Sequence, residues 1–133
     1  IIKSGKRQRN RFIAELAKIK DYYECQAGTK TFKQSDGKNY VEAHHIIEFS
    51  LGGPDIIDNL LILGPTPHSL LHHASNEEKE SLYNKLKYSN VIANDTFDDM
   101  VKYYHSLTKE HIELLNERHL ITLEKKEELL KFI

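Results

Sequence analysis

Apolar and polar residues alternate with a helical period at the start of the chain. Phe12, Leu16, Ile19 and Tyr23 recur at i, i+4, i+7 and i+11, with charges opposite, and predict an amphipathic helix over Arg9 to Tyr23. Gly28 marks the exit into a loop. Thr29 to Lys33 and Asn39 to Ile47 then read as two strands of a hairpin around Ser35-Asp36-Gly37-Lys38, because Asp-Gly enters positive φ at little cost. Ser50 to Asp55, rich in punctuating residues, is loop, and Leu60 to Leu63 is a short buried run whose period does not choose between helix and strand. In Gly64-Pro65-Thr66-Pro67, Thr66 reads as an N-cap and Pro67 as the first helical residue, which puts His68 and His72 one turn apart on the same side. From Asn76 to Ile133 the pattern is that of three or four helices, carried by Leu82 with Leu86, Phe97 with Val101 and Tyr104, Ile112 with Leu115, and Leu123 with Leu130. Asp95 is a plausible N-cap for the second of them.

Composition narrows the class. The 133 residues are enough for one domain with its own core, and 39% hydrophobic with 29% charged residues is the balance of a soluble globular protein. We expect a basic N-terminal helix over 1–24, a chemical core over 25–75 and helical support over 76–133, forming one compact domain. No apolar run approaches the roughly 18–20 residues of a membrane span. Ile1 to Lys6 has no apolar core of a leader peptide, and there is no initiator Met. A cytoplasmic piece of a larger protein is the expectation. The single cysteine, Cys25, excludes an internal disulfide framework and any zinc cage of cysteine pairs, and is expected to be a small buried hydrophobe.

A net charge of -1 argues against a protein that coats nucleic acid by charge alone. The average hides a local excess. From Lys3 to Lys20, seven basic residues (Lys3, Lys6, Arg7, Arg9, Arg11, Lys18, Lys20) face one acid, Glu15. Such an arm can grip phosphates through counterion release. A solvated chain end is the competing reading.

The chemistry concentrates in the middle. Five of the eight histidines, His44, His45, His68, His72 and His73, lie in one short stretch, with Asn59 between them. Imidazole is both a common metal ligand and a base near neutral pH, so one cluster can hold a divalent cation and spare a ring for proton transfer. Neighbouring residues of a regular strand point to opposite faces, however, so His44 and His45 share a site only where the strand ends or bends.

Val41-Glu42-Ala43-His44-His45-Ile46-Ile47, Gly52-Gly53-Pro54-Asp55, Asp58-Asn59-Leu60-Leu61-Ile62-Leu63 and Pro67-His68-Ser69-Leu70-Leu71-His72 together resemble the HNH endonucleases, the His-Me finger or ββα-metal group. The three signature letters fall on His45, Asn59 and His68, and the resemblance covers roughly Cys25 to His73. It implies an α+β fold, mainly helical, with an embedded finger of β-hairpin, loop and helix. It also implies a metal-dependent endonuclease acting on double-stranded DNA. His45 would be the general base and Asn59 would hold the loop that aims it. His44, His68 and His72 would ligate one divalent metal ion, Mg2+, Mn2+ or another transition metal. Lys6, Arg7, Arg9, Arg11 and His73 would face nucleic acid, and Glu42 would orient a histidine or an arginine unless it is an exposed strand carboxylate.

Two departures matter. Many members frame the finger with two Cys-x-x-Cys pairs around a structural zinc. The matching places here read Cys25-Gln26-Ala27-Gly28 and Gly64-Pro65-Thr66-Pro67, so no such zinc forms and framing falls to packing by the C-terminal helices. Where many members place an Asp as first ligand, this chain has His44, and an all-imidazole set suits manganese, cobalt, nickel or zinc better than magnesium. The resemblance implies restriction or defence in a prokaryote or phage, with a homing-type enzyme, a nuclease toxin and a catalytically inactive nucleic-acid-binding module as alternatives. A homodimer or a further recognition domain of the same chain would complete it. His105, His111, His119, Tyr103 and Tyr104, on the helical tail, read as packing or surface residues.

Overall fold

The computed structural model describes residues 8–89, 91–92, 97 and 107–133. Expectations resting on Lys6, Arg7, Asp95, Val101, Tyr103, Tyr104 and His105 lie outside these residues. The described elements are α1 (Arg11–Lys20), β1 (Glu42–His45), β2 (Leu60–Leu63), α2 (Pro65–His73), α3 (Asn76–Tyr88), α4 (Lys109–Glu117) and α5 (Leu123–Leu130). Single 3-10 turns occupy Phe49–Leu51 and Ile57–Asn59. The fold is α+β, with a two-stranded antiparallel hairpin set among helices, as the sequence implies.

The strands of the hairpin differ from those expected. Glu42 to His45 pairs with Leu63 to Leu60, whereas Thr29 to Lys33 meets the chain after its turn only at one bridge, Lys33 with Asn39. The Asp-Gly turn itself forms, with Lys38 N donating to Asp36 Oδ1. Beyond that bridge the Thr31 hydroxyl, and not a backbone N–H, donates to Tyr40 O at 2.7 Å. β2 is buried at all four positions, so no period shows in its sequence. Leu60 and Ile62 pack with Val41, Ala43, Ile13 and Ala17 on the α1 side. Leu61 and Leu63 join the main core with Ile47, Leu71, Leu86, Ile112, Leu115 and Leu129.

Helix boundaries also shift. α1 is capped by Asn10, whose Oδ1 accepts from Phe12 N, and it ends where Tyr22 and Tyr23 adopt positive φ. Its anticipated apolar face is the wrong one. Phe12 is 74% exposed and Ile19 52%, while the small Ala17 is buried and lets the helix approach the sheet closely. α2 starts earlier than read: Gly64 is the cap and Pro65 the first helical residue, whose fixed φ suits that place. Gly64 packs beside Thr31 and Cys25 at ordinary contact distance. In α5 the core position belongs to Leu129, while Leu123 is exposed.

No cysteine cage frames the finger. Cys25 is buried in the core, Gln26 binds the outer edge of β2 through Gln26 N to Ile62 O and Ile62 N to Gln26 Oε1, and Lys85 Nζ of α3 donates to Ala27 O. Among the described residues, no helix is long and apolar enough to cross a membrane.

Candidate functional site

Three histidines from two elements meet at the edge of β1. His44 is 4% exposed and faces the helices, opposite Leu61 in the sheet. Its Nε2 lies 3.3 Å from the Tyr83 hydroxyl of α3, and its Nδ1 is enclosed without a hydrogen-bond partner among the described residues. Burial, with the nearby His68 and His72, lowers its pKa from 6.5 to about 3, so the ring is neutral over any ordinary pH range. The same burial pushes the Tyr83 phenol up to about 12 and keeps it protonated.

His68 and His72, one turn apart on α2, lie above it. Their rings stand 5.2 and 5.1 Å from that of His44, and their Nε2 atoms are 3.0 Å apart. His68 Nδ1 faces Glu42 Oε1 at 2.9 Å, and Tyr40 donates to Glu42 Oε2 at 2.9 Å. Burial raises the Glu42 pKa, but the hydrogen bonds from His68 and Tyr40 outweigh it, leaving the carboxyl below its usual value. An ionised Glu42 keeps the His68 proton on Nδ1 and leaves Nε2 with its lone pair. The His72 pKa is lowered by burial and by His68 and His73. One nitrogen from each of His44, His68 and His72 lies within 4.8 Å of the others.

These residues fit a divalent cation. Three imidazoles converge, one of them fixed by a carboxylate behind it, and the buried His44 has a ring nitrogen without a hydrogen-bond partner among the described residues.

His45 lies apart from this triad. It ends β1 opposite Leu60, on the α1 side, with its ring 5.4 Å from that of Phe49 and its Nε2 3.0 Å from Asp55 Oδ1. One cleft of about 970 Å³ nevertheless reaches both groups, lined by Ala43, His45 and Asp55 and by His68 and His72. Arg9 and Arg11 form its basic wall, with the Arg9 guanidinium 5.2 Å above the Phe49 ring. His73 is exposed beside His72, at 6.1 Å between rings.

The loop between the strands is held from within. Asn59 is fully buried: its Oδ1 accepts from Ile47 N at 3.0 Å, and its Nδ2 donates to Ile47 O and Pro54 O at 3.1 and 2.9 Å. Asn59 thus sends its side chain into the loop and not into the cleft. Gly53 is obligatory because a Cβ there would stand 2.0 Å from Ile47 O. The helical tail braces the loop from outside. Arg118 donates to Ile46 O at 3.0 Å and to Glu48 Oε1 at 2.6 Å. His111 is buried, with Nε2 2.9 Å from Leu51 O and Nδ1 accepting from Thr108 N. His119 is a surface residue beside Glu80.

Asp55, Tyr83 and Arg118 were not singled out from sequence. Tyr83 stands 39 positions from His44 and Arg118 72 from Ile46, the residues they contact, and no local pattern marks them. Asp55 carried a signal, standing directly after Gly52-Gly53-Pro54 in a loop whose geometry is constrained.

No family model matches the chain. A stretch of 54 residues, 39% of the chain, is 43% identical to the Type IV methyl-directed restriction enzyme EcoKMcrA of Escherichia coli (strain K12). That match covers 20% of the enzyme's length, so the chain spans about a fifth of the curated relative it resembles.

Proposed function

We propose that this chain is the catalytic part of a metal-dependent DNA endonuclease of the HNH type, acting in restriction. The observation that carries the reading is the sorting of four histidines about β1, of which His45, His68 and His72 line one cleft. Three converge within 4.8 Å, and the fourth stands against a carboxylate on the other face of the same strand. Phosphodiester hydrolysis needs both a group that offsets added negative charge and a group that takes a proton from water. His44, His68 and His72 would hold the cation. Once bound there, a divalent ion would supply Lewis acidity toward the phosphate oxygens.

The chain's own residues do the remainder. His45 takes the proton of the attacking water. Glu42 holds the His68 ring in the tautomer that presents Nε2. Asn59 fixes the loop that carries Asp55 through Pro54 O. Arg9 and Arg11 bind the backbone phosphates of double-stranded DNA along the cleft wall. The similarity to a methyl-directed restriction enzyme supports the restriction setting. Reading of a modified base is assigned to a further domain, because the finger offers few groups to base edges.

The test is incubation of supercoiled plasmid with the protein and manganese, cobalt, nickel or magnesium, with and without chelator. Nicked or linear product that chelation abolishes is expected. Tight DNA binding without cleavage under every metal would favour an inactive binding module.

A further inference from the structure

The resemblance to HNH enzymes leaves unassigned the group behind His45, and the structure supplies one. We propose that Asp55 is a positioning residue that holds His45 as the Nε2–H tautomer and registers the base to the N-terminus of α1. The inference rests on the reading of His45 as the general base.

An isolated neutral imidazole carries its proton on either nitrogen, and only the unprotonated one accepts a proton. Asp55 Oδ1 stands 3.0 Å from His45 Nε2, with side-chain exposures of 15% and 12%, so water competes little for either group. An ionised carboxylate only accepts hydrogen bonds. The His45 proton is therefore drawn to Nε2, and Nδ1 keeps the lone pair. When Nδ1 takes a proton from water, hydroxide is released and the ring becomes a cation beside the carboxylate. Asp55 orients the ring through this hydrogen bond and takes no proton in the step, which is the role a buried Asp plays behind a catalytic His in serine proteases.

The second carboxylate oxygen reaches further. Asp55 Oδ2 accepts from the backbone N–H of Asn10, the residue that caps α1. Arg9 and Arg11 flank Asn10 and line the cleft. One carboxylate thus fixes the base and the entry of the basic helix to a common point. The carboxylate is itself aimed from behind. Asn59 Nδ2 binds Pro54 O, the carbonyl just before Asp55, and Gly53 packs with no room for a side chain. Phe49 packs against the His45 ring and limits its rotation.

The test is nitrogen NMR of the His45 ring in metal-free protein, with Asp55→Ala and Asp55→Asn as variants, alongside metal calorimetry and single-turnover cleavage. Wild type should show a protonated Nε2 and an unprotonated Nδ1, and Asp55→Ala should move both shifts toward the average of two tautomers. Metal affinity should stay within about 2-fold, while the cleavage rate falls on the order of 100-fold at saturating DNA. Asp55→Asn, of equal volume, should lose the rate likewise and serves where the alanine variant folds poorly. A wild-type ring without the Nε2–H preference, or an Asp55→Ala protein cleaving at the wild-type rate, would overturn the proposal. Wild type that cleaves no DNA, yet shows the tautomer that Asp55→Ala abolishes, would sink the nuclease reading and leave the positioning by Asp55 standing.

Discussion

His44 and His45, adjacent in sequence, send their rings to opposite faces of β1, His44 against Tyr83 and His45 against Asp55. Strand pleating requires this separation. It costs the site nothing, because the cleft is lined from both sides of the strand, by His45 and Asp55 and by His68 and His72.

This separation divides the effects of mutation. His44→Ala and His68→Ala should lose metal binding and cleavage together, and His72→Ala should weaken both. His45→Ala should lose cleavage while titration calorimetry finds metal affinity near wild type. Manganese, cobalt or nickel should support cleavage at lower concentration than magnesium, since the donors would be imidazole nitrogens. Loss of metal from His45→Ala would contradict the division.

Burial of neutral His44 makes the metal-free fold sensitive to acid. Its pKa is about 3 in the folded protein against 6.5 in the free side chain, so below pH 6.5 the unfolded chain binds a proton that the folded one does not. Stability therefore falls as pH drops from 6.5 toward 3, by roughly 2 kcal/mol at pH 5 from this group. Urea unfolding of the metal-free protein at pH 7 and pH 5 should show the loss. His44→Phe should remove most of that pH dependence.

The interstrand loop depends on Asn59. Asn59→Ala removes hydrogen bonds to Ile47 N, Ile47 O and Pro54 O and leaves these backbone groups without that partner. A loss of about 2–4 kcal/mol is expected by chemical denaturation. Gly53→Ala should be comparably damaging, because the Ile47 carbonyl that its Cβ would meet is backbone and cannot turn aside. Neither variant should bind metal normally where the loop has opened.

Tyr83 is the means by which α3 reaches the triad. Tyr83→Phe keeps the buried ring and removes only the hydroxyl 3.3 Å from His44 Nε2. A hydrogen-bond partner behind a metal-ligating histidine is worth about 10-fold or more in metal affinity. Calorimetry should find that weakening, with the melting temperature of the metal-free protein little changed.

Sequence selectivity should be low in this chain alone. From Lys109 to Lys131, five basic residues face six acidic ones, which is a poor surface for reading DNA. Cleavage should give a smear, not discrete bands, and should fall steeply with added salt as phosphate contacts weaken. A discrete set of fragments at physiological salt would place the reading element within these residues.

The sequence by itself determined the α+β class and helices in the second half, and it marked the histidines that the structure gathers at β1. Each is a local matter: a histidine pair, a Gly-Gly-Pro loop, apolar residues at helical spacing. It misplaced the first strand of the hairpin and the buried side of α1, because pairing and burial depend on what a segment meets. Leu60 to Leu63 shows no period, since both of its faces are covered. Phe12 and Ile19 match a helical stripe, yet Ala17 is the residue small enough for close approach to the sheet. Only the tertiary structure sorted His44 from His45, brought Tyr83 and Arg118 from the helical tail to the finger, and set Asp55 behind His45. Those contacts join residues 10 to 72 positions apart, and at such separations a chain's own spacing carries no geometry.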